Sequence, residues 1–261
     1  MATSTSSAHR SDVARQVGVL VSAVLAIGGA FLGSGAFVGT PIAEAAGGVL
    51  SADATPLAPA APAFSIWSVI YLGLIVLSVW QVLPGRRTDP RQRATGWWIA
   101  ISMILNAIWV LAVQAELVGL TVVVILALLA ALCLVIVRLG RERPRNAVDA
   151  VVVDGTMGLY LGWVSVATAA NIAAVLADAG VDLPVDPTGV AVITVLALVG
   201  AALAWWSRGR LAIAAAQAWG LSWIVAGRLN GEPPSTPVAI AAVAAAVVIV
   251  TTAAIARIRR R

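Results

Sequence analysis

Three apolar stretches of this chain place aromatic rings and amides at helical spacing. Trp67 and Tyr71 are four apart in FSIWSVIYLGL, and Asn106 and Trp109 are three apart in LNAIW. In LYLGWVSVATAAN, Trp163, Ala167 and Asn171 follow Tyr160 at offsets of 3, 7 and 11. Each set falls on one face of a helix. Rings, small residues and amides in such stripes suit a pocket for a flat, largely apolar ligand. The same residues serve a bundle without a pocket, its amides tying helices together and its rings filling the core. Spacing alone leaves both readings open.

Other chemistry is poorly provided for. The single histidine, His9, lies in the N-terminal tail, away from any apolar run, so a histidine-held haem or metal and a Ser–His or Cys–His nucleophile are not expected. The lone Cys133 sits inside an apolar run and excludes a disulfide framework. Asp154 is the one acid well inside a span, and an intramembrane acid is a candidate for function. It lies about two turns from an arginine-rich loop, so pairing with a loop arginine is the expected role. No enzyme activity, metal or cofactor is expected.

The elements that must carry these residues are transmembrane. Of 261 residues, 61% are hydrophobic and 11% charged, with a mean hydropathy of +0.97. A soluble domain averages about 25% charged residues. Runs near the ~20 residues that span hydrocarbon predict an all-α, polytopic transmembrane helix bundle of about eight spans. They cover 17–39, 64–83, 96–114, 117–138, 147–177, 189–207, 210–228 and 237–257, with 40–63 as the longest connector and no core of its own.

Arginine placement supports that count. With the N-terminus inside, Arg10 and Arg15, Arg86, Arg87, Arg91 and Arg93 share one side with Arg138, Arg141, Arg143 and Arg145. Arg208, Arg210, Arg257, Arg259, Arg260 and Arg261 join them, and only Arg228 falls outside. Both termini are therefore expected in the cytoplasm of a cell (plasma or inner) membrane. The net charge of +5 follows from this topology, and no nucleic-acid partner is expected. The partners expected are the lipid bilayer and a hydrophobic small molecule.

Ala43-Glu44-Ala45 offers a small-x-small cleavage site, but the run before it is too long for a signal-peptide core, so no cleavage is expected. Gly29, Gly33, Gly35 and Gly39 have small-xxx-small spacing, which predicts close packing within the chain, with a homodimer as the alternative. Trp80, Trp97, Trp98, Trp205 and Trp206 stand beside arginines at inner span ends and read as an interfacial belt with an anchoring role. Trp67, Trp109, Trp163, Trp219 and Trp223 lie deeper or toward the outer face.

The three motif stretches resemble, in order, signature segments of the TspO/translocator-protein family, the tryptophan-rich sensory proteins. Trp67 and Tyr71, Asn106 and Trp109, and Tyr160, Trp163, Ala167 and Asn171 match it position by position. Leu159 and Val166 replace a proline and a phenylalanine, Phe64 stands three rather than four before Trp67, and a Pro-Pro pair is reduced to Pro62. The resemblance covers about 15–177. It implies a 1–16 tail, a five-helix domain over 17–177, and an additional three-helix region over 178–261.

The resemblance further implies that those eight residues bind a porphyrin-like, sterol-like or other hydrophobic ligand, with the first loop as lid. Tyr71 and Tyr160 have no arginine within five positions on their C-terminal side, so the sterol-contact pattern is absent. The function expected is a receptor or sensor for a flat hydrophobic molecule such as a tetrapyrrole. A transporter of such molecules and a structural or assembly factor are the alternatives.

Overall fold

The computed structural model describes residues 10–35, 39–182 and 184–259; His9, Arg260 and Arg261 lie outside the described residues. Eight long helices follow the eight expected runs. They are α1 (Arg10–Ser34), α2 (Ile66–Trp80), α3 (Pro90–Gln114), α4 (Val118–Leu139), α5 (Ala147–Asp178), α6 (Val185–Trp206), α7 (Leu211–Asn230) and α8 (Thr236–Ile258). Among the described residues, seven are long and apolar enough to cross a membrane. The eighth, α7, buries Gln217 and Arg228, so part of its polarity is turned toward protein.

Three helices begin several residues earlier than the apolar runs indicate: α1 at Arg10 rather than 17, α3 at Pro90 rather than 96, and α6 at Val185 rather than 189. The cause at α3 is local. Asp89 caps the helix by accepting from the Arg91 N–H at 2.9 Å, and proline fits the first helical position, which needs no N–H donor. At α1, Arg15 donates to Gln81 Oε1 at 3.1 Å and to the Arg87 carbonyl at 2.8 Å, so the first turns are held although they are polar.

Helices α1 to α5 close into a ring. α1 packs on α2 and α3, α3 on α4, α4 on α5, and α5 returns to α2. Ile70, Leu77, Ile99, Met103, Leu132, Met157 and Leu161 fill its centre. α7 then lies on α5, α8 on α7, and α6 on α8. A second core of Ile193, Leu221, Ile224, Ala242, Ala245 and Ile249 joins these helices and takes in Leu57 from the first connector. That connector is therefore packed rather than coreless, with one-turn 3-10 segments at Ala45–Gly48 and Ala61–Ser65.

The α5–α7 seam needs glycine at Gly162. A Cβ there would stand 2.3 Å from the Ile213 carbonyl oxygen, a backbone atom that cannot swing aside. In α1 the small residues serve packing within the chain, Gly29 against Ala107 and Gly33 against Ile42 and Val110.

One end of the bundle gathers most of the described arginines. Here α5 opens with a π-helical turn, Ala150–Gly155. Residues five apart in a regular α-helix point about 140° apart; the wider turn brings Asp149 and Asp154 onto one partner. Arg91 donates Nη1 to Asp149 and Nη2 to Asp154, each at 2.6 Å. Arg210, preceding α7, also pairs with Asp154. Asp154 thus has the arginine pairing expected of it, with two partners.

Trp80 and Trp98 depart from a simple belt. Trp80 donates to Asp149 at 3.3 Å beneath the Arg86 guanidinium, and Trp98 lies beneath Arg138. Trp97, Trp205 and Trp206 are exposed.

Candidate functional site

Toward the other end of the ring, the three motif stripes converge. Trp67 and Tyr71 stack with centroids 5.4 Å apart, as one helical turn on a common face permits. Trp67 also meets Tyr160 edge-on at 5.8 Å and Trp163 at 6.3 Å. Phe64, one residue nearer to Trp67 than the expected pattern, still reaches Trp163 edge-on at 5.8 Å. Such edge contacts suit the quadrupoles of aromatic rings.

The amides are held by named partners. Tyr71 Oη donates to Asn106 Oδ1 at 2.8 Å, joining α2 to α3. Trp109 Nε1 donates to Asn171 Oδ1 at 3.1 Å, joining α3 to α5. Asn171 Nδ2 donates to Thr121 Oγ1 at 2.9 Å, which adds α4. Tyr160 Oη donates to the Ser102 carbonyl at 3.2 Å.

These residues surround a cavity of about 70 Å³. Six of the eight candidates line it: Trp67, Asn106, Trp109, Trp163, Ala167 and Asn171. Tyr71 and Tyr160 do not; their rings back Trp67 while their hydroxyls hold α3. Phe64, Ile125, Leu128, Val164, Ala170 and Ala174 complete the helical walls. Two polar groups at the cavity are buried without a hydrogen-bond partner, the Trp163 indole N–H and the Thr55 hydroxyl.

The first connector forms the roof. Ile42, Val49, Leu50, Ser51, Ala54, Thr55, Ala58 and Pro59 line the cavity from above. This roof is tied to α7, which lies outside the ring. The Ala60 N–H donates to the Trp223 carbonyl at 3.1 Å, and Trp219 Nε1 donates to the Ala63 carbonyl at 2.9 Å. Arg228, 1% exposed, donates to the carbonyls of Ala52 at 3.2 Å and of Glu232 and Pro233 at 2.8 Å. Sequence reading placed Arg228 as the lone outer arginine and Trp219 and Trp223 deeper or toward the outer face. It did not join them to the roof, because a side chain that binds backbone carbonyls leaves no pattern in its partner's sequence.

The family model described as TSPO-like protein matches residues 18–255, nearly the whole chain. The chain therefore belongs to the TSPO-like family and is a multi-pass membrane protein of that class. The match runs through α6 to α8 as well as the five-helix ring. No curated protein and no solved structure matches the chain.

Proposed function

We propose that this protein is a membrane receptor or sensor that holds a flat, mainly apolar small molecule, tetrapyrrole-like in shape, in the cavity beneath residues 42–59. The observation that carries this reading is the convergence of Trp67, Trp109 and Trp163 with Asn106 and Asn171 on one cavity. Rings supply flat apolar walls, and a few fixed polar groups set orientation. The Trp163 N–H and the Thr55 hydroxyl are unpartnered, and an acceptor atom on the ligand would satisfy them.

The cavity's size makes the roof part of the function. Drug-sized ligands occupy pockets of about 300–1,000 Å³, several times the 70 Å³ seen here. A tetrapyrrole enters only when the connector moves away from the ring, because the closed cavity has no room for it. Occupancy is then signalled by roof position, which suits a sensor without chemistry. The arginine-rich end faces the cytoplasm of a plasma or inner membrane.

Quenching of tryptophan fluorescence by protoporphyrin IX in detergent tests the reading. Saturable quenching is expected for the wild type and not for a Trp163→Phe/Asn106→Leu variant. Quenching indifferent to both substitutions would assign these residues to core packing.

A further inference from the structure

At the arginine-rich end, remote from the roofed cavity, a second cavity of about 320 Å³ opens between the start of α3 and the end of α4. It is lined by Pro90, Arg93, Ala94, Arg138, Arg141 and Glu142. We propose that this cleft binds the phosphate of an anionic phospholipid.

The basic groups are arranged rather than merely present. Arg138 is fixed by two contacts: Nη1 donates to the Ala94 carbonyl at 3.1 Å, and the guanidinium lies 4.9 Å over the Trp98 ring. A guanidinium held by a carbonyl and an indole has lost much of its rotamer freedom before an anion arrives, which lowers the cost of binding. Arg93 is held by Asp12 of α1, which does not itself line the cleft, with Nε at 2.8 Å and Nη2 at 2.6 Å. Asp12 offsets the charge of Arg93. Arg138 and Arg141 then face a single carboxylate, Glu142, among the lining side chains, so the cleft keeps an excess of positive charge.

The surroundings favour a lipid over a free phosphate. Trp97, one turn along α3 from the cleft, is exposed, and Ile101 and Ile104 continue that exposed apolar course. On α4, Leu134 is exposed one turn before Arg138. Tryptophan marks the interfacial level of a bilayer. A headgroup in the cleft therefore has its acyl chains beside apolar helix faces. Basic pockets between transmembrane helices on the cytoplasmic side recognise anionic headgroups in this way. A soluble phosphate would use the arginines and leave those faces unused.

The test uses the full-length protein in detergent micelles, with tryptophan quenching by phospholipids brominated on their acyl chains. Phosphatidylglycerol is expected to quench saturably, and phosphatidylcholine only weakly. Millimolar inorganic phosphate is expected not to compete. Arg138→Gln/Arg141→Gln is expected to weaken phosphatidylglycerol binding at least about tenfold, as the loss of two basic contacts implies. Arg143→Gln, which removes a charge from the same loop outside the cleft, is expected to leave it unchanged. Glu142→Gln removes the opposing carboxylate and is expected to tighten binding several-fold, which keeps the test decisive if the double variant fails to fold. Equal quenching by both lipids, an unaffected double variant, or no tightening in Glu142→Gln would overturn the proposal. Competition by inorganic phosphate would replace the lipid with a free anion and overturn it equally.

Discussion

Arg228 of α7 donates to the carbonyl of Ala52 at 3.2 Å, across 176 positions of chain. The two residues tie the roof of the aromatic cavity to a helix outside the ring that forms its walls. Arg228 is buried, and its other partners are the carbonyls of Glu232 and Pro233. One side chain therefore fixes both the roof and the turn between α7 and α8.

Arg228→Gln keeps a donor but is too short for three carbonyls. The roof is expected to loosen, with faster hydrogen exchange at backbone amides in 42–60 and little change in α3 and α4. Ligand association is expected to quicken, because entry requires the roof to move. Uniform exchange across both regions would separate Arg228 from the roof.

Gly162→Ala is expected to force α5 and α7 apart, since the new carbon would stand 2.3 Å from the Ile213 carbonyl oxygen. Overpacking of this kind costs about 1–3 kcal/mol, read as a lowered thermal midpoint in detergent. Gly119→Ala is the matched control, because nothing lies within 4 Å of the added carbon. Equal midpoints for the two variants would contradict the close approach described for α5 and α7.

Arg91→Ala removes the residue that Asp149 and Asp154 share. Breaking a buried ion pair on one side costs about 3–5 kcal/mol, and among the described residues Asp154 keeps only Arg210. A larger loss is expected than for Arg145→Ala, whose side chain is half exposed beside Asp89. The thermal midpoints of the two variants decide this, and the reverse order would remove Arg91 from the centre of the network.

Asn171→Leu keeps much of the side-chain volume but leaves the Trp109 indole without an acceptor and Thr121 without its donor. An unpaired buried polar group costs about 1–3 kcal/mol. Thr121→Val removes only one of these bonds and is expected to destabilise less. Thermal midpoints equal to wild type in both variants would mean that the amide ties nothing.

The parts of this molecule that the sequence makes legible are those written in local pattern. Eight apolar runs become eight helices, and the stripes at 67–71, 106–109 and 160–171 converge because helical periodicity fixes which side chains share a face. Asp154 also pairs with arginine as its position near a basic loop suggests. What is not legible depends on pairings distant in sequence. The π-helical turn at 150–155 lets Asp149 and Asp154 share Arg91, a pairing 58 and 63 positions away that apolar periodicity does not record. The starts of α1 and α3 are hidden because their first turns are polar, held by Gln81, Arg87 and Asp89 rather than by an apolar face. The tie between α7 and the roof rests on backbone carbonyls, which every residue carries. Tyr71 and Tyr160 share the stripes yet stand behind the cavity wall, a difference of depth that helical phase does not encode.

The central claim is that the space beneath residues 42–59 holds the ligand. Its most direct test is protoporphyrin IX binding to Ala167→Phe, which places a ring inside the cavity that Ala167 lines. Binding is expected to fall by at least about tenfold, in line with the loss of one or two kcal/mol of pocket contacts, while the thermal midpoint stays near that of wild type. Undiminished binding with the cavity filled would place the ligand elsewhere and contradict the account.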